Sequence, residues 1–314
     1  FAVFFAAAHS LRVFSVMAFD SDRARTVLFG GHYAGAIDDN KTYEWDGSGW
    51  ALVSSVGPAP RGGHALAYDS ARHRTVLYGG GHYCNGTFCP YFDTWEWDGT
   101  EWLLSSTTGP AIANPTMAFD SGRARTLLTS GDQTWEWDGS SWSQRSIVGP
   151  APLPRFGHAL AYDGDRQRTI MFGGQVAGTR VSETWEWDGN AAVWSLRAAS
   201  GPAPRYYAAM AYDSVRQRAV LVGGVDGNFF GDPGSVFYGD TWEWNGGPGT
   251  WTQRAASVPG PHAYHGAAFD STRSRLVLAA GAYGLPSSDT WEMSGSASGE
   301  LQITLQPVAP AAIH

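Results

Sequence analysis

The chain has 314 residues, of which 43% are hydrophobic, and a formal net charge of −8. That is ample apolar material for a large core, yet no run of 18 or more apolar residues exists to span a membrane. The acidic balance argues against a nucleic-acid partner.

The chain opens on "FAVFFAAAHS". This stretch resembles the apolar core of a secretion signal with a small-residue end. Register with later segments favours a strand instead. Trp50 lies eleven residues before Arg61, and Trp194 eleven before Arg205; eleven before Arg12 is Phe1. Residues 1–8 are therefore expected as the outermost strand of the last repeat, pairing with the segment 265–293 and closing a ring.

From residue 12 onward one unit recurs six times. Its anchor is the aspartate of "AFD" or "AYD": Asp20, Asp69, Asp120, Asp163, Asp213 and Asp270, spaced 49, 51, 43, 50 and 57 residues apart. Each unit has an apolar run ("HALAYD"), a turn ("DSxRxR"), a second run ("TVLYGG"), a variable loop, "TWEWDG", a final Trp and often "GPAPR". The runs are four to eight residues long, rich in β-branched and aromatic residues, and bounded by Gly, Pro, Asp and Ser. That pattern predicts short strands joined by turns, with no helical period. Four strands in each of six units predict an all-β, six-bladed propeller over 1–299. Residues 300–314 are expected as an extra C-terminal strand or tail. Within them "ELQITLQPV" (300–308) competes with the N-terminus for the outer place in the last blade.

A period near 50, double glycines such as Gly79-Gly80 and Gly173-Gly174, and "RGGH" or "RFGH" openings resemble kelch repeats more than the shorter WD repeats. The resemblance covers nearly all of the chain. It implies a propeller; members of the family serve as protein-binding modules, oxidases, sugar isomerases and glycan binders, so it implies no single activity.

Residues repeated in every unit read as architecture. Trp45, Trp97, Trp137, Trp187 and Trp244 suit the dry gap between blades. Arginines follow each anchor Asp at +3 and +5. Glu44, Glu96, Glu136, Glu186, Glu243 and Glu292 each need a partner if buried; the +5 arginine, which begins the adjoining strand, is the expected one.

Function is sought where the units differ. The loops after the double glycines and the "GPAPR" connections share one face, and they carry Tyr33, Tyr83, Tyr91, Phe229, Phe230, Tyr238 and Tyr283. Blades two and five have long loops there and blade three almost none, so the rim should be notched over blade three. Arg12, Arg61, Arg155 and Arg205 open the innermost strand in four blades; Ile112 and His262 take that slot in the others. His64, His158 and His265 follow three residues on. A mouth ringed by these arginines attracts an acidic ligand; the alternative is that they bond neighbouring carbonyls. Candidate ligand-binding residues are thus Arg61, Arg155, Arg205, His64, His158, His265, Tyr33, Tyr83, Phe230 and Tyr238.

Cys84 and Cys89 fall in one loop, "HYCNGTFCPYF". A disulfide is favoured over free thiols, and over a metal site with His82, because two Cys and one His fall short of a zinc set. A disulfide implies a secreted or periplasmic location.

The leading functional expectation is a secreted, non-catalytic binding or scaffold propeller for a glycan or protein ligand, with no nucleic-acid partner, metal or cofactor. The rival is a lyase, isomerase or hydrolase on an acidic sugar, with one of the histidines as base beside Tyr206, Tyr207 or Tyr264. No phosphate-cradling glycine loop, nucleophile elbow or HExxH occurs.

Overall fold

The computed structural model describes residues 12–33, 37–227, 234–255, 260–283, 285–286, 290–295 and 301–306. Six antiparallel four-stranded sheets form the blades of a propeller, and no helix occurs among the described residues. Blade one runs outward from Val16–Asp20 through Arg25–Phe29 and Thr42–Trp45 to Trp50–Ser54. Every blade is built from contiguous sequence in this way.

The sixth blade departs from expectation. Its strands are Gly266–Asp270, Arg275–Ala279, Thr290–Gly295 and Leu301–Gln306, and the last pairs with Thr290–Gly295 over six residue pairs. The outer place assigned to the N-terminal strand is thus filled by the C-terminal one. A domain boundary at 299 would cut this sheet. Residues 1–8 lie outside the described residues. The ring closes by side-chain packing between blades one and six, where Met17, Leu28, Tyr43 and Trp45 meet Ala268, Val277 and Ala279.

In blades one, two, three and five a pair of tryptophans fastens the blade to the one before by two hydrogen bonds; blade four keeps only the bond of Trp194 to Thr134 Oγ1, and blade six carries Met293 in the first position. Trp97 is 1% exposed and donates its indole N–H to Glu44 Oε1 of blade one at 3.0 Å. Trp102, its ring 5.5 Å from that of Trp97, donates to Thr42 Oγ1 at 2.8 Å. The same pair of bonds closes the ring, from Trp45 to Glu292 Oε1 (3.0 Å) and from Trp50 to Thr290 Oγ1 (2.8 Å). Truncating such a buried indole to Ala costs roughly 3–5 kcal/mol. These rings are packed in gaps and are not a sugar platform.

The buried glutamate does gain an arginine, but the +3 residue rather than the +5. Arg23 holds Asp20 (2.7 Å) and Glu44 (2.7 Å), and Arg72 holds Asp69 and Glu96 in the same way. The turn explains the difference. Asp20 Oδ1 accepts the backbone N–H of Asp22 and Arg23, folding the +3 side chain back across the strand ends. Ala24 then sits at φ 51°, and Arg25 Nη1 donates to the Ala24 carbonyl instead.

On the variable face most blades carry an upper tier. Arg12–Val13 pairs with His32–Tyr33, and single bridges join Gly62 to Gly81, Phe156 to Gln175, Tyr206 to Val225 and Ala263 to Ala282. Blade three has no such bridge among the described residues; its strands Arg125–Thr129 and Thr134–Trp137 are joined by only four residues. The expected low point of the rim is there.

Candidate functional site at the channel mouth

The inner strands surround a central cavity of about 200 Å³. Six-fold register stacks its lining in levels. The lowest is apolar: Met17, Leu66, Met117, Leu160, Met210 and Ala267. Two levels above it stand Ser15, His64, Pro115, His158, Ala208 and His265. At the top is a collar of Phe14, Gly63, Asn114, Gly157, Tyr207 and Tyr264.

All six collar residues adopt left-handed backbone, with φ between 51° and 66°. Gly and Asn accept this conformation readily; for Phe and Tyr it costs on the order of 1–3 kcal/mol each. The conformation is held by bonds running around the axis. Tyr207 N–H donates to the Gly157 carbonyl (2.7 Å), Tyr264 to Tyr207 (3.1 Å), Phe14 to Tyr264 (3.1 Å) and Gly63 to Phe14 (3.2 Å). The run spans blades four, five, six, one and two and skips blade three.

The fold therefore demands a left-handed residue here but not an aromatic one. Blades five, six and one nevertheless present three rings in mutual contact. Phe14 lies 4.6 Å from Tyr264 and 5.2 Å from Tyr207, and Tyr207 lies 4.6 Å from Tyr264. Burial pushes the phenols of Tyr207 and Tyr264 up, and neighbouring tyrosines add to the shift, so both stay neutral.

The four arginines are each engaged with an acidic side chain of their own blade. Arg61 is fully buried, donates to both carboxylate oxygens of Asp93 (2.6 and 2.9 Å) and to the Gly79 carbonyl (2.9 Å), and lies 4.2 Å over Tyr91. Arg205 repeats this with Asp240, Gly223 and the ring of Tyr238 at 3.8 Å. Arg155 donates to Glu183 and Gly173, and Arg12 pairs with Asp39. The sequence held the signal for this. An acid directly precedes the third strand in blades two, four and five (Asp93, Glu183, Asp240) and lies two residues earlier in blade one (Asp39), whereas blade three, with Ile112 in the arginine slot, has Gln133; blade six has the acid, Asp289, with His262 in the slot. Tyr238 is accordingly a stacking partner for Arg205.

The three histidines turn into the gap toward the preceding blade at the cavity wall. His64 packs edge-on against Phe29 at 5.3 Å, and His158 bonds Thr116 Oγ1. His64 is 1% exposed, and neither of its ring nitrogens has a hydrogen-bond partner; the same holds for both nitrogens of His265 and for Nδ1 of His158. Burial lowers each pKa to about 3, with nearby Arg61 contributing at His64 and Arg155 at His158. All three are neutral at pH 7.

Cys84 and Cys89 are bonded to each other across the hairpin Gly81–Cys84 and Thr87–Pro90. This hairpin raises Tyr83, 56% exposed, within 6.0 Å of His32, which in turn contacts Phe14 at 5.5 Å. Phe230 and the side chain of Tyr33 lie outside the described residues. Among the described residues no group of three His, Cys, Asp or Glu is placed to hold a metal, and no helix is long and apolar enough to cross a membrane.

Comparison with known proteins agrees with this architecture. A search of curated proteins finds no match. A solved structure titled "Structure of YjhT" superposes with a TM-score of 0.75 over 95% of this chain and 99% of that one, at 15% identity, a likeness of fold alone. The family model described as the KLHDC2/KLHL20/DRC7 Kelch-repeats domain matches residues 133–298. With more than half its length matched and six blades of this pattern, the chain belongs to the Kelch-repeat propellers.

Proposed function

We propose that this propeller is a non-catalytic binding module, working outside the cytoplasm, which holds a glycan or protein ligand on its variable face over the channel mouth. The observation that carries this reading is the collar. Three blades place an aromatic ring in a backbone conformation that the other three assign to Gly or Asn. Strain kept at one spot of a repeated scaffold points to use of that spot. The hairpin bearing Tyr83 adds exposed aromatic surface beside it. The disulfide supports the oxidising compartment. Kelch propellers commonly bind proteins, which is consistent with this role.

The geometry gives an acidic ligand no support, because the arginines that would attract it are engaged with Asp39, Asp93, Glu183 and Asp240. The rival enzyme needed the same arginines free beside a histidine and a tyrosine, so it gains no support from this geometry.

A glycan-array and pull-down screen with wild type and a Tyr83→Ala/Phe88→Ala double variant tests the reading. Ligands captured by wild type should be lost or weakened at least tenfold by the double variant, while melting is little changed. Ligands retained equally would move the site off this face.

A further inference from the structure

We propose that Asn85 is the acceptor for an N-linked glycan, attached at the tip of the blade-two hairpin. The proposal rests on the extracytoplasmic location argued above and adds a covalent modification to it. The sequence signal is the triplet Asn85-Gly86-Thr87, because Asn-x-Ser/Thr with x other than Pro is the acceptor pattern for such glycans. The chain has six asparagines, and three of them begin an Asn-x-Thr triplet: Asn40, Asn85 and Asn114.

The fold separates the three. Asn114 is followed by Pro115, which removes it from the pattern. Asn40-Lys41-Thr42 runs into the third strand of blade one. There Thr42 is fully buried, lies between Phe29 and Ser54 in the sheet, and accepts the indole N–H of Trp102 on Oγ1 at 2.8 Å. The Asn40 amide itself donates to the Ser55 carbonyl at 3.2 Å. Asn85, Gly86 and Thr87 are instead all exposed. Cys84 pairs with Thr87 across the hairpin, so Asn85 and Gly86 form its turn. Both have positive φ, 50° and 78°, the type I′ form. A Cβ added at Gly86 would meet nothing within 4 Å, so the turn stands clear of the protein and a bulky group has room there.

Turn chemistry does not demand the asparagine. Blade four makes the same turn with Ala177-Gly178, at φ 45° and 85°, again followed by threonine, Thr179. Only the blade-two copy completes the triplet. The Cys84–Cys89 bond brackets it and belongs to an oxidising compartment, such as the one in which N-linked glycans are transferred. The co-reactant is a lipid-linked oligosaccharyl pyrophosphate, brought by a membrane-bound transferase. Asn85 Nδ2 bonds C1 of the first sugar, and the bond from C1 to the pyrophosphate oxygen breaks. The lipid pyrophosphate leaves with that electron pair, and one amide proton passes to a base of the transferase.

The test is to send the full chain, behind a cleavable secretion signal, through a eukaryotic secretory pathway. The folded secreted protein is weighed intact, before and after the amidase that releases Asn-linked glycans. Most of it should carry one glycan, which the amidase removes, leaving Asp in place of Asn85. Asn85→Gln should abolish the glycan with melting little changed, because Gln167 and Gln217 already take φ 55° in this fold. Thr87→Ala should abolish it with Asn85 still present, and Thr87→Ser should keep it. Asn40→Gln should leave it untouched. A secreted, folded chain without a glycan overturns the proposal, as does a glycan that survives Asn85→Gln. If that unmodified chain still has Cys84 bonded to Cys89 and still captures ligand, the modification alone falls. If its cysteines are free thiols, the extracytoplasmic reading falls with it.

Discussion

Replacing Arg61 by isoleucine should destabilise the propeller without touching the ligand site. The guanidinium is fully buried between Asp93, the Gly79 and Ala59 carbonyls and the ring of Tyr91. Removing it leaves Asp93, itself mostly buried, without its cation, held by the indole N–H of Trp95 at 2.8 Å and its own backbone N–H. Breaking one side of a buried ion pair typically costs about 3–5 kcal/mol. For a chain of this size that is a fall in Tm of roughly 5–8 °C by calorimetry. Blade three supplies the control, since it carries Ile112 in the arginine slot and Gln133 in the acid slot. The double variant Arg61→Ile/Asp93→Gln recreates that combination and should recover at least half of the loss, the sign of coupling between two contacting residues. If Arg61→Ile melts like wild type, or the double variant melts lower than the single, then the arginine is not the structural tie described here.

Two further expectations follow from the same geometry. The pKa values of His64, His158 and His265 are lowered to about 3, so the unfolded chain binds more protons than the folded one between about pH 6.5 and pH 3. Their contribution to stability is full above about pH 6.5 and is lost as pH falls through that window; His64→Leu should flatten the fall of denaturant midpoint between pH 6.5 and 4.5, and an unchanged slope would contradict it. Reducing Cys84–Cys89 should add two daltons and speed hydrogen exchange in residues 81–90 while leaving the global Tm nearly unchanged, because the closed loop is short; a large drop in Tm would show that the hairpin supports the ring.

The propeller was legible because it is written six times. Strand length, turn residues and the tryptophan spacing agree in every unit, and each local preference supports the same global answer. Details set by three-dimensional direction were not legible. Which of two arginines meets Glu44 depends on the left-handed residue at Ala24, which no side-chain pattern announces, since His73, Gln167 and Ser274 take the same conformation. Closure by Leu301–Gln306 was open because two segments suited one edge equally. At the mouth, Tyr207 and Tyr264 were visible as candidates, but Phe14 was not. Its significance lies in a backbone angle shared with Gly63 and Gly157, and it emerges only when the second residue after the arginine slot is compared across blades.

The account turns on where a ligand sits, and a crystal structure of the chain with a ligand recovered from the binding screen measures this directly. Density should lie over the channel axis, against Phe14, Tyr207 and Tyr264. Density on the opposite face, among the aspartate-anchored turns, or along an outer blade edge would contradict it.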